Sequence, residues 1–261
     1  MNKNSGYKVN KHINVREVLE ETFRIMLHKP VILLPMLILW VFDRISGSLL
    51  LPFFQIPDKI SSFEDLVPYL PSILKYFIIY FCVIFIIYAF IEGIYPPLIK
   101  NMLENKNINM LTATRFVFGR ALTLIAAGIL IGIIVFAGLL FFIIPGLIFA
   151  VWYFYAVPYI MLENRGILDA MRASKAFSSD NKTVTFNLFS APFLLIFIGG
   201  FIADVFFIAI PDVRLIINII LNTVVYTWFS VIPPYVYLKY NKMKEDNIDF
   251  NNLRNRSARD N

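Results

Sequence analysis

Cysteine is almost absent: Cys82 is the only one in 261 residues. That excludes an intramolecular disulfide and any cysteine-based metal site. Cys82 stands inside an apolar run and reads as a small buried apolar residue. Histidine is nearly as scarce. His12 and His28 both precede the first apolar run, so the His, Asp and Glu cluster that a hydrolytic metal centre needs is not in view. Walker A, GxGxxG, G-x-S-x-G and H-E-x-x-H patterns are all missing, and with them the usual phosphate, dinucleotide, serine-hydrolase and zinc-protease chemistries. No cofactor is implied, and the chain is expected not to be an enzyme. Charge is thin as well, at 16% of residues against about 25% in soluble proteins.

What fills the chain instead is apolar. Hydrophobic residues make up 58% of it and the mean hydropathy is +0.68, more than one soluble core can hide. A spanning helix needs about 20 mostly apolar residues. Six runs qualify, at about 30–51, 73–97, 120–143, 146–162, 184–209 and 214–238. The expected fold is all-α: a polytopic membrane protein of six transmembrane helices in three hairpins, each preceded by a cytoplasmic amphipathic helix. It forms one domain over 1–261, with an N-terminal amphipathic helix at 15–28, the bundle at 30–238, and a short polar tail at 239–261, disordered or surface-lying. A signal peptide is not expected, because Glu17, Glu20 and Glu21 interrupt what would be a basic leader. Ile144-Pro145-Gly146 reads as the tight turn of the middle hairpin.

The net charge of +6 suggests nucleic acid until its placement is read. Six Lys and Arg precede the first span, four lie between spans two and three, four between spans four and five, and six follow the last. The opposite side holds only Lys59, Lys75 and Arg214. Such a bias orients a membrane protein with its basic loops and both termini in the cytoplasm. The expectation is therefore a multi-pass cell-membrane protein that does not bind nucleic acid. Membrane lipids are the expected partners, anionic ones included, because basic clusters beside a span attract them. A membrane-protein partner would be of unknown identity.

A unit recurs. Asn14 and Glu17 have capping-box spacing, and Val15, Val18, Leu19, Thr22 and Met26 share a helix face. Ile167, Leu168, Met171, Ser174 and Ser178 form a similar face after Gly166, and 111–118 is a weaker counterpart. Each returning span carries proline near its inner end: Pro96 and Pro97, Pro158, and Pro233 and Pro234. Kinks are expected at all three places, packed where neighbours can satisfy the freed carbonyls.

The run Ile144-Pro145-Gly146 through Trp152-Tyr153 and Ala156-Val157-Pro158, then Leu162-Glu163-Asn164-Arg165-Gly166 and Ala170-Met171-Arg172-Ala173-Ser174, resembles a known pattern. It is similar to the membrane domain that precedes the catalytic domain in some bacterial glycerophosphodiester phosphodiesterases, and to stand-alone prokaryotic membrane proteins related to it. Met171 stands where that pattern has leucine, and Trp152 and Tyr153 where it often has arginine. The resemblance implies a six-span membrane domain of unsettled role. It carries no phosphodiesterase activity, because the catalytic barrel is absent.

Four ionisable residues fall inside spans: Asp43, Arg44, Glu92 and Asp204. Each costs about 2.5–3.5 kcal/mol in lipid and should face the bundle interior. Depth suggests Arg44 with Asp204, with Asp43 as the fallback partner. Glu92, in the inner half, is expected to pair with a cytoplasmic base or to carry a proton. Asn218, Asn222, Thr223 and Thr227 add polar positions to span six, as interhelical bonds or cavity lining. Gly128 and Gly132 have the spacing for close helix packing. The leading functional expectation is a non-enzymatic membrane protein that scaffolds partners or engages lipid. The alternative is a small transporter or permease using Glu92 and Asp204. An intramembrane enzyme comes third. A water-filled cavity reaching those carboxylates would favour transport, and a dry bundle the scaffold.

Overall fold

A computed structural model of the protein describes residues 13–50, 67–106, 109–206 and 208–257. These residues are helical, with short turns and no strand among them. The helices are α1 (Val15–His28), α2 (Leu34–Leu50), α3 (Leu70–Glu92), α4 (Tyr95–Leu103), α5 (Met110–Phe118) and α6 (Ala121–Phe141). They continue as α7 (Ile143–Trp152), α8 (Ala156–Glu163), α9 (Ile167–Asp180), α10 (Lys182–Phe206) and α11 (Pro211–Ser257). Six segments are long and apolar enough to cross a membrane. At 1.5 Å per residue the 21 residues of α6 cover about 31 Å, the thickness of a bilayer core. Helices are required there, since lipid offers the backbone no hydrogen-bond partner.

The bundle is apolar outside as well as inside. Phe81, Leu122, Phe136, Phe141 and Phe197 face outward, as a lipid-bathed surface demands. Cys82 faces outward too, so its reading as a buried residue is corrected: α3 has a lipid-facing side and Cys82 lies on it. The dense core sits toward the end of the bundle that carries α1, α5 and α9. There Tyr95, Leu98 and Ile99 of α4, Ile160 and Met161 of α8, and Val231, Ile232 and Val236 of α11 are buried together with Val18 and Met26 of α1.

The middle hairpin turns at Phe142, whose backbone is extended (φ −163°, ψ 151°). Pro145 and Gly146 are not the turn. They belong to the first turns of α7, where proline needs no N–H partner. Gly146 serves close approach: a Cβ on Gly138 would stand 2.8 Å from the Gly146 Cα.

The prolines also act differently from the expected kinks. Span two ends α3 at Glu92 and restarts as α4 at Tyr95, with Pro96 and Pro97 in the first turn. Span four breaks between Trp152 and Ala156, with Pro158 in the first turn of α8. A first-turn proline is free of the clash and lost bond that kink a helix interior, so these two spans are broken rather than bent. Pro233 and Pro234 lie inside α11, which stays helical through them. The tail expectation is corrected as well. α11 runs unbroken to Ser257, 47 residues in all, about 70 Å of helix.

The break in span four explains the serines of α9. Ala156 N–H bonds to Tyr153 O at 3.0 Å, so the Trp152 carbonyl loses its i+4 donor. Ser174 Oγ donates to that carbonyl at 2.8 Å and Ser178 Oγ at 3.3 Å. Ser174 Oγ also accepts from Tyr155 N–H at 3.1 Å. Ser174 is wholly buried. Its replacement by alanine should lower stability by about 1–3 kcal/mol, the cost of orphaning buried polar groups. The Ser174→Ala/Ser178→Ala pair should lose more than the sum of the singles, because each serine covers for the other at Trp152. Thermal unfolding in detergent reads both effects; additive losses would contradict this geometry.

α9 begins at Ile167 and buries Ala170, Met171, Ser174, Phe177 and Ser178. Leu168 does not belong to the packed face; it is 57% exposed. Nor does Gly166 make the sharp exit from span four. Gly166 has ordinary extended backbone (φ −66°), and the left-handed residue is Asn164 (φ 58°), a conformation asparagine tolerates.

The contacts of α1, α5 and α9 follow one rule. Phe90, Trp152 and Trp228 each stand six residues before a proline, namely Pro96, Pro158 and Pro234. Phe90 packs against Phe118 of α5, with ring centroids 4.7 Å apart. Trp152 is held by α9, with Lys175 Nζ 4.1 Å above its ring. Trp228 Nε1 donates to Thr22 of α1 at 2.9 Å. Spans two and four are thus capped by the helix that follows them. Span six is capped by the N-terminal helix, which closes the ring. Asn14 caps α1 by accepting from Arg16 N–H and Glu17 N–H. The Glu17 side chain reaches Lys239 at 2.7 Å.

Candidate functional site

The three proline-bearing returns converge. A cavity of about 480 Å³ lies between α3, α6, the break of span four and α11, and Pro96, Pro158, Pro233 and Pro234 all line it. Its walls are otherwise apolar and aromatic. Phe154, Phe189 and Phe229 contact one another on one side, with centroids 5.1–5.6 Å apart. Gly128 lets α6 meet Phe85 of α3, where an added Cβ would stand 2.9 Å from the ring. Gly132 faces the cavity, and a Cβ there would meet nothing within 4 Å. Of the expected glycine pair, only Gly128 packs.

One carboxyl breaks the apolar lining. Glu92 ends α3 at the cavity wall and is paired with hydroxyls; among the described residues no Lys or Arg forms the expected ion pair with it. Ser230 Oγ lies 2.6 Å from Glu92 Oε1 and also 2.8 Å from the Tyr226 carbonyl, and Tyr88 reaches Glu92 from one turn earlier on α3. Ser230 has one proton to give. An ionised Glu92 accepts that proton's hydrogen bond. A neutral Glu92 donates to Ser230, whose proton then turns to the Tyr226 carbonyl. Both charge states therefore have partners in place.

Pro233 and Pro234 add acceptors to the same place. They lie inside α11 and lack N–H groups, so the Phe229 and Ser230 carbonyls lose their helical donors, and both residues line the cavity.

The other intramembrane candidates lie apart. Asp43 accepts from the Tyr80 hydroxyl of α3. The Asp204 side chain is outside the described residues, and so is the Arg44–Asp204 pairing. Arg44 lines a second cavity of about 620 Å³ near the opposite end of the bundle, with Gly200, Arg214, Asn218 and Asn222. Sequence reading found Asn218, Asn222, Thr223 and Thr227 but passed over Ser230, Tyr88 and Tyr226. The signal was there: Asn218, Asn222, Tyr226 and Ser230 are each four residues apart.

These features define an all-α integral membrane protein with six spanning segments, an apolar cavity holding one carboxyl, and a separate arginine-lined cavity. Comparison with protein-family models, with curated proteins and with solved structures finds no match to the chain.

Proposed function

We propose that this chain is a non-enzymatic membrane protein that binds an amphiphile, a membrane lipid or lipid-like molecule, in the cavity beside Glu92. One observation carries the reading: an aromatic and aliphatic cavity with a single hydrogen-bonded carboxyl and proline-freed carbonyls at its wall. Binding sites of this type hold an apolar body and fix one polar end. The Glu92 carboxyl and the α11 carbonyls freed by Pro233 and Pro234 suit a polar end that donates hydrogen bonds, a hydroxyl or an ammonium. A Cβ on Gly132 would meet nothing within 4 Å, so Gly132→Phe should compete for the space the amphiphile would occupy. Mass spectrometry of the protein purified in mild detergent should find a co-purifying lipid in the wild type. The lipid should be lost or reduced at least tenfold in Gly132→Phe, and weakened in Glu92→Gln. Equal lipid content in all three would sink the reading.

The proposed orientation places both termini in the cytoplasm, on the strength of the twenty basic residues on that side against three opposite. Reporter fusions within 53–72 and at the C-terminus should report opposite sides. The same side for both would overturn it. Kinship with the membrane domain of glycerophosphodiester phosphodiesterases remains a proposal on the residues of 144–174.

A second reading, a small transporter, is favoured by a specific feature. Polar side chains on α11 run from the arginine-lined cavity to Glu92.

A further inference from the structure

Among the described residues, four buried polar side-chain atoms have no direct protein partner: Trp40 Nε1, Tyr95 OH, Thr223 Oγ1 and Thr227 Oγ1. They are not scattered. Trp40 of α2 packs on Tyr226 of α11, with centroids 5.3 Å apart. The Tyr95 hydroxyl of α4 is directed toward Thr227 and the Met36 carbonyl of α2 but makes no well-formed hydrogen bond with either. Thr223 and Thr227 are successive turns of α11. All four therefore cluster between α2, α4 and α11. Asn222, the residue before Thr223, and Asn218, one turn before Asn222, line the arginine cavity. One turn the other way, Ser230 holds Glu92. From Asn218 to Ser230 the row spans about 18 Å along the helix.

A dry interior would leave each of these groups uncompensated, at about 1–3 kcal/mol apiece. Buried polar groups that lack protein partners are normally served by ordered water. We propose that a chain of bound water runs along α11 from the cavity of Arg44 and Arg214 to Glu92, so that Glu92 exchanges its proton with the aqueous phase at that end of the bundle. The step is a simple transfer. A proton from that phase passes through water to the Glu92 carboxylate and makes the neutral acid; the reverse passage restores the carboxylate and returns the proton to water. Ser230 and Tyr88 can accompany either state, as described above. The titratable neighbours of Glu92 are Tyr88 on its own helix, Tyr95 on α4, Tyr226 on α11 and Tyr153 at the break of span four. α6 faces the cavity with Leu124, Ala127, Gly128, Ile131, Gly132 and Val135, none of them titratable. Among the described residues, no Lys or Arg forms an ion pair with Glu92. This inference goes beyond the amphiphile reading and stands whatever occupies the inner cavity.

Two experiments test it. In a Cys82→Ser background, single cysteines replace Asn218, Thr223, Thr227 and the outward-facing Ile220 in sealed vesicles of both orientations. A charged methanethiosulfonate reagent reacts only where water reaches. Asn218→Cys, Thr223→Cys and Thr227→Cys should be modified from the side of residues 208–210, at least tenfold faster than Ile220→Cys. Labelling that stops at Asn218→Cys, or that comes from the opposite side, overturns the proposal. The exchange of threonine for cysteine is close in volume, and if Thr223→Cys fails to fold, Thr227→Cys carries the test.

The second experiment uses the wild-type chain and an apolar carbodiimide, which modifies protonated carboxyls. Peptide mass mapping follows Glu92, with Glu92→Gln as background. Raising the pH on the side of residues 208–210 should slow the modification of Glu92, while raising it on the other side should not. A rate that follows the other side, or neither, overturns the proposal. Loss of lipid binding in Gly132→Phe would leave both results unchanged, so failure of the amphiphile reading and failure of the water path are distinguishable.

Discussion

Gly146→Leu should fail to give a folded protein, whereas Gly132→Leu, on the partner helix of the same hairpin, should fold normally. The difference is what each new side chain would meet. A Cβ at Gly146 would stand 2.8 Å from the backbone nitrogen of Leu139 and 2.4 Å from its Cγ. Main chain cannot swing aside as a side-chain tip can. α6 and α7 would have to separate along the hairpin, and the serine clasp at Trp152 would be dragged with them. Overpacking in a flexible site costs about 1–3 kcal/mol; here the obstacle is backbone, so the cost should exceed that range. In lipid the loss is hard to recover, because helices associate there through close packing rather than through a hydrophobic drive. Gly138→Leu should behave like Gly146→Leu, since its Cβ would sit 2.8 Å from the Gly146 Cα. The readout is the monodisperse fraction in detergent and the melting temperature. A Gly146→Leu protein that melts within a few degrees of wild type would show that the hairpin is not held this closely.

That contrast also marks how far the sequence could be read. Gly128 and Gly132 looked alike as a spaced pair, and only the neighbours separate them: Phe85 faces the first and open space the second. The number of spans was legible because twenty or more apolar residues leave few alternatives in a chain of this length. The surface helices were legible from their periodicity, and Val18, Thr22 and Met26 are buried as the pattern required. Where proline acts was not legible. Pro158 and Pro234 look equivalent in sequence, yet one opens a helix and the other lies inside one. The difference lies in the bonds made by other segments, such as the α9 serines that hold the Trp152 carbonyl. For the same reason Glu92 was legible as a costly residue but not as a partner of Ser230, which is 138 residues away.

The serines carry one further consequence for α9, which has a packed face and an open one. Met171 is 5% exposed and lies on the packed face beside Ala170 and Ser174, whereas Leu168, three residues earlier, is 57% exposed. Met171→Asp would place a carboxylate among apolar neighbours; the Asp169–Arg172 pair is on the exposed side of the helix, and Lys175, one turn on, is engaged over the Trp152 ring. Loss of a buried methionine costs about 2–5 kcal/mol, and an unpaired buried charge adds several more unless it takes up a proton. α9 should then leave the break of span four, which strips the Trp152 carbonyl and the Tyr155 N–H of their partners together. Leu168→Asp changes the same helix by the same charge and should shift stability by about 0.5 kcal/mol or less. Melting curves of the two variants in one detergent decide the matter. Equal effects would mean that α9 lies loosely on the bundle, and a mild Met171→Asp would remove the clasp from the account of how span four holds its break.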